Sequence, residues 1–162
     1  MASRTRNDRP RSERPPGRRP GSATTRAAVS TTIPVAAPPC RVLIVDDEPA
    51  IAHVMALVVE QRGCVPLVAA DGQEALDLAH VQPPDLVITD LMMPRLDGAG
   101  LLAELRAESR AEGREPIPAI LMTGARAAVL ADVPADAVLV KPFRIEALLA
   151  LLDRFLGPAR PG

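Results

Sequence analysis

The chain has 162 residues, enough for one ordinary globular domain with a tail and too short for two. Hydrophobic residues make up 48% of it but aromatics only 1%, with no Trp or Tyr, which argues against a stacking platform for single-stranded nucleic acid. The net charge of −1 hides a division: residues 1–39 carry eight Arg against Asp8 and Glu13, a balance of +6, and the remainder carries eleven basic and eighteen acidic residues, a balance of −7.

Residues 1–39 hold seven prolines and almost no large apolar side chain. Such a segment buries too little surface to offset its ordering entropy, and it reads as a disordered Arg/Pro-rich tail. A basic arm for nucleic acid or an acidic partner is one alternative. An organelle transit peptide is another, opposed by the prolines, which spoil an amphipathic helix. Cys40 and Cys64 are too few and too far apart for a disulfide framework or a metal-ligand set, so they read as idle thiols in a reducing compartment. No apolar run approaches the roughly 20 residues that span a bilayer. A cytoplasmic location is the expectation.

From residue 40 the pattern changes. Arg41–Val45 (RVLIV) is a β-branched apolar run that predicts a strand buried on both faces. Pro49 stands at a first helical position, Ile51, Val54, Met55 and Val58 recur at helical spacing, and Gly63 closes that helix. Val65–Ala69 predicts a second strand. Asp71 and Glu74 have capping-box spacing and open a helix to about His80, broken by Pro83 and Pro84. Asp85–Thr89 is a third strand, ending at Asp90, and a loop from Met92 to Gly98 leads to a helix carrying Leu101, Leu102 and Leu105. Ile117–Met122 and Ala137–Val140 are the fourth and fifth strands. A last helix carries Ile145, Leu148, Leu149, Leu152 and Leu156 on one face and stops at Gly157-Pro158. Strands alternating with helices at this spacing predict a parallel α/β sheet covered on both faces. The domain is expected over 40–157, with 158–162 as a C-terminal tail.

In such sheets the ligand site lies beyond the carboxyl ends of the strands. Asp46 and Asp47 follow strand one, Asp90 strand three, Thr123 strand four and Lys141 strand five. Singly, each has a plain structural explanation as a cap, a turn residue or a solvated charge. Together they deliver three carboxylates, a hydroxyl and an ammonium to one edge. Clustered carboxylates repel, and oxygen-only ligands favour Mg²⁺ as the remedy. A metal-bound Asp beside a Lys and a Thr suits phosphoryl transfer, with an Asp carboxylate as nucleophile. Lys141 is the single Lys of a chain that uses Arg everywhere else.

Val45-Asp46-Asp47-Glu48-Pro49, Asp85–Gly98 (DLVITDLMMPRLDG), Ile120–Gly124 (ILMTG) and Val140–Phe143 (VKPF) resemble the signature of response regulator receiver domains. The resemblance covers residues 40–157. It implies a flavodoxin-like, doubly wound five-stranded sheet of order 2-1-3-4-5. It further implies that Asp90 accepts a phosphoryl group from a histidine kinase or histidine phosphotransfer protein. Asp47, Asp90 and the backbone carbonyl of Met92 would ligate Mg²⁺, with Asp46 acting through water. Thr123 and Lys141 would contact the phosphoryl group, and the Lys141-Pro142 peptide would be cis.

Two departures stand out. The aromatic that such domains carry three places before the Lys is here Val138, and only seventeen residues separate Thr123 from Lys141, so a shortened or irregular fourth helix is expected around Ala125–Ala131. No DNA-binding segment follows the last helix, which predicts a stand-alone regulator acting by protein–protein contact, a signalling protein rather than an enzyme. A phosphorylation-independent receiver-fold scaffold is the alternative. A haloacid dehalogenase-type phosphatase is a third reading, opposed by Met92, since those enzymes place a second Asp two residues after the nucleophile.

Overall fold

The structure, a computed structural model, describes residues 38–124 and 132–158. Nearly all of the expected tail, residues 159–162 and the segment 125–131 in which the shortened fourth helix is expected lie outside the described residues. The elements run β1 (Arg41–Val45), α1 (Pro49–Gln61), β2 (Val65–Ala69), α2 (Gly72–Val81), β3 (Leu86–Asp90), α3 (Gly98–Ala111), β4 (Ala119–Thr123), β5 (Ala137–Val140) and α4 (Ile145–Leu156). The strands form one five-stranded parallel sheet of order β2-β1-β3-β4-β5, the flavodoxin-like arrangement.

Alternation along the central strands divides the core in two. Val42 and Ile44 of β1, Ile88 of β3, and Ile120 and Met122 of β4 pack with Met55, Val59, Leu148 and Leu152 of α1 and α4. Leu43, Val45, Val87, Ala119 and Leu121 point the other way, onto Ala75 and Leu76 of α2 and Leu101, Leu102 and Leu105 of α3. The period of two that sends successive side chains to opposite faces explains why these strands carry continuous apolar runs, with polar residues only at their ends. Aliphatic side chains fill the fully buried positions, as the near-absence of aromatics requires.

The helix ends follow local chemistry. Pro49 begins α1, where its missing N–H costs nothing. The Asp71 carboxylate accepts from the Gln73 and Glu74 amides at 2.9 and 3.0 Å, while Glu74 reaches back to the Ala70 amide at 2.8 Å. That is the capping box expected from the sequence, with its return bond displaced by one residue. Asp97 caps α3 through the Gly100 amide at 2.7 Å. The fourth strand starts at Ala119 rather than Ile117, since Pro118 has no N–H for the ladder; it runs on to Thr123.

The cysteines correct the sequence reading. Cys40 and Cys64 are not idle thiols but a disulfide, with Cα atoms 4.8 Å apart. The cause is the strand register. Arg41 of β1 stands opposite Val65 of β2, so the residues just before them are neighbours despite a sequence separation of 24. A reducing compartment therefore loses the support that free thiols gave it. Closing a loop of this size stabilises a fold by about 2–4 kcal/mol. Adding dithiothreitol, or replacing Cys64 by Ser, is expected to lower the urea midpoint accordingly. A midpoint indifferent to reductant, with two thiols titrating in the untreated protein, would contradict the disulfide.

Candidate functional site

The strand order reverses direction between β1 and β3, and the crevice outside their carboxyl ends is where an open α/β sheet holds its ligands. Asp46 follows the last residue of β1, Asp90 and Thr123 end β3 and β4, and Lys141 follows β5. Adjacent strands thus bring residues far apart in sequence to one edge. The Lys141 amide donates to the Thr123 carbonyl at 2.8 Å, which extends the β4–β5 ladder to the site. The Lys141-Pro142 peptide is cis, as the resemblance implied.

Asp46, Asp90 and Lys141 meet. The Lys141 ammonium lies 3.1 Å from Asp46 Oδ2 and 3.0 Å from Asp90 Oδ1, spanning the two carboxylates. Asp46 is 2% exposed and Asp90 8%, so both charges are largely withdrawn from water. Their remaining oxygens are also engaged: Asp46 Oδ1 accepts the Glu48 amide at 2.9 Å and Asp90 Oδ2 the Met92 amide at 3.1 Å. Burial works to lower the pKa of Lys141. The hydrogen bonds to Asp90 and Asp46, and the nearness of both negative charges, outweigh it and carry the ammonium above its ordinary 10.5.

Thr123 is buried at the end of β4, whereas Asp47 is exposed and the Met92 side chain points into solvent. Among the described residues no three His, Cys, Asp or Glu side chains gather as a ready-made metal cluster. The donor chemistry nevertheless fits a hard cation: every side-chain ligand on offer is a carboxylate, and two buried carboxylates face one ammonium, leaving a residual negative charge.

The loop after β3 is held tightly, a feature that the sequence pattern alone did not reveal. The Gly98 amide donates to the Leu91 carbonyl at 3.0 Å, and a Cβ on Gly98 would lie 2.1 Å from the Asp90 carbonyl oxygen. Only glycine allows α3 to start this close to Asp90, as the Asp97-Gly98 pair that opens the helix could have indicated. The Arg95 guanidinium forms an ion pair with Asp71, which the sequence marked only as a helix cap. Val138, in place of the expected aromatic, is 42% exposed on β5. An apolar groove of about 630 Å³ opens beside Lys141, between Ile51 and Val54 of α1 and Pro142, Phe143 and Ile145.

Comparison with known proteins agrees with this architecture. Residues 42–153 match the response regulator receiver domain family. A probable transcriptional regulator of Guillardia theta is 39% identical over 120 residues, covering 72% of this chain and 45% of that protein. The response regulator MprA of Mycolicibacterium vanbaalenii is 37% identical over 128 residues, covering 76% of this chain and 53% of that protein. Among solved structures, the Vibrio cholerae chemotaxis protein CheY4 superposes with a TM-score of 0.64 at 30% identity, covering 72% of this chain and 98% of that one. The Thermotoga maritima response regulator TrrA, solved in complex with Mg²⁺ and BeF, gives 0.62 at 28% identity over 72% of this chain and 98% of its own.

The chain belongs to the response regulator receiver domain family, the signalling domain of two-component systems. It spans about half the length of the curated relatives it matches. Among the described residues no helix is long and apolar enough to cross a membrane.

Lys141 offers a direct probe, because labelled lysine gives a single side-chain resonance in this chain. In metal-free protein that resonance is expected to titrate above 10.5, and lower in Asp90→Asn. With the native pKa above the unfolded one, the stability the lysine contributes is present below pH 10.5 and lost as pH rises through the raised value. Titration at or below 10.5 in the wild-type chain, unchanged in Asp90→Asn, would contradict an ammonium stabilised by that carboxylate.

Proposed function

We propose that Asp90 accepts a phosphoryl group from the phosphohistidine of a histidine kinase or phosphotransfer protein, and that the resulting acyl phosphate signals through protein–protein contact. The observation that carries this reading is Asp90 at the end of β3, its carboxylate fixed between the Lys141 ammonium and the Met92 amide. An Asp oxygen attacks phosphorus, the P–N bond to the donor imidazole breaks, and the new P–O bond forms. Lys141 offsets charge on the transferring oxygens as a compact cation, and the Thr123 hydroxyl donates to one of them. The groove beside Lys141 provides an apolar surface against which a protein donor can seat.

Asp47, Asp90 and the Met92 carbonyl are the proposed Mg²⁺ ligands, with Asp46 acting through water. Bound there, Mg²⁺ would supply the further positive charge that phosphoryl transfer requires. The protein assists its own phosphorylation and dephosphorylation and has no separate substrate, so it acts as a switch. Phosphorylation adds about −1.5 to −2 charges at the site, enough to reorganise contacts through Thr123 and Lys141. The same reading places the protein in the cytoplasm with its donor kinase, a location that the Cys40–Cys64 disulfide opposes.

A phosphorylation-independent scaffold is the second reading, and exposed Val138 favours it. An aliphatic side chain there cannot perform the inward swing of an aromatic that the family resemblance implies.

Incubation with Mg²⁺ and a small phosphodonor is expected to yield an acid-stable, hydroxylamine-labile phosphate that is absent in Asp90→Asn. Absence of label from both a small donor and a cognate kinase would leave the scaffold reading. Asp47→Ala is expected to abolish Mg²⁺ binding by calorimetry; unchanged affinity would remove Asp47 from the ligand set.

A further inference from the structure

The loop that joins β3 to α3 is gripped from two sides. On the sheet side, the Leu91 amide donates to the Met122 carbonyl at 2.8 Å, the Gly98 amide to the Leu91 carbonyl at 3.0 Å, and the Met92 amide to Asp90 Oδ2 at 3.1 Å. On the far side stands the N-terminus of α2. The Gly72 amide donates to the Leu96 carbonyl at 3.3 Å, and a Cβ on Gly72 would lie 2.6 Å from that oxygen, so the loop and the helix start are in close contact.

Asp71 joins the two. One carboxylate oxygen, Oδ1, caps α2 through the Gln73 and Glu74 amides, and the other, Oδ2, pairs with the Arg95 guanidinium. The Asp71 side chain is 3% exposed against 68% for Arg95, so a withdrawn negative charge depends on a cation carried by the loop. Arg95 has φ of 64°, a left-handed conformation that residues with side chains rarely adopt and that persists where surrounding contacts hold it. The bent residue is therefore also the one that reaches across to α2. Three residues before it is Met92, whose amide touches the Asp90 carboxylate.

We infer that Asp71 and Arg95 are positioning residues that clasp the β3–α3 loop and keep the Met92 backbone against Asp90, and that this clasp sets the affinity of the acidic site for a divalent cation. The inference rests on the Mg²⁺ site proposed above. Neither side chain touches the reacting atoms; both act through the loop. Supporting groups around a metal site commonly influence its affinity in this way, by fixing the groups that bind.

Substitution separates the clasp from the helix cap. Asn caps a helix about as well as Asp, so Asp71→Asn keeps the bonds to Gln73 and Glu74 while removing the charge that pairs with Arg95. Arg95→Gln removes the pair from the other side, and Arg95→Lys restores a cation. Mg²⁺ binding to the full chain is measured by calorimetry, and amide exchange over residues 92–97 by NMR. Asp71→Asn and Arg95→Gln are each expected to weaken Mg²⁺ binding about tenfold. They should also speed exchange at those amides, and the double variant should do no more than either single one. Arg95→Lys should recover most of the affinity. Near-wild-type affinity and exchange in both single variants, beside a wild-type chain that binds Mg²⁺, would overturn the clasp alone, as would additive effects in the double variant. A wild-type chain that binds no Mg²⁺ would instead overturn the site reading on which the inference rests.

Discussion

The arrangement on which the rest of the site depends is one ammonium shared by two buried carboxylates. Asp46 and Asp90 come from different strands, and their charges would repel strongly if brought together alone in a medium of low polarity. Lys141 makes their proximity tolerable. It does not neutralise them, and the exposed carboxylate of Asp47 adds to the excess. A site left with surplus negative charge and only oxygen donors favours a hard divalent cation. It also holds the Asp90 carboxylate beside an ammonium, the pairing on which the proposed phosphoryl transfer draws.

The sheet makes that geometry possible and the loops keep it. Parallel pairing of β1, β3, β4 and β5 brings four strand ends to one edge, so residues nearly a hundred positions apart meet within hydrogen-bonding distance. The start of α3 then presses so close to β3 that position 98 must be glycine. At the opposite end of the sheet the same register brings Cys40 beside Cys64. One pairing pattern thus accounts for both the acidic site and the disulfide.

Much of this was legible in the residues. The apolar runs located the five strands to within two residues, and the polar residues following them marked Asp46, Asp90, Thr123 and Lys141. Those signals are local: a strand's composition and the residue after it can be read without knowing its neighbours. What escaped was non-local. Cys40 and Cys64 looked too distant to pair because sequence separation says nothing about register. Asp71 was recognised as a cap through its own helix, but its second oxygen serves Arg95, a residue on another loop. Apolar character alone sets the start of β4 at Ile117, but Pro118 has no N–H to offer the ladder and the strand begins at Ala119. The segment between β4 and β5, where the family resemblance and this chain part company, lies outside the described residues.

Asp90, rather than the neighbouring Asp46 or Asp47, is the proposed acceptor, and chemical trapping tests that assignment most directly. After incubation with Mg²⁺ and a small phosphodonor, borohydride reduction converts an aspartyl phosphate to homoserine, which peptide mass spectrometry then locates. The account predicts homoserine at position 90, with Asp46 and Asp47 unmodified. Conversion at Asp46 or Asp47, or no conversion under conditions that label a known receiver domain, would contradict it.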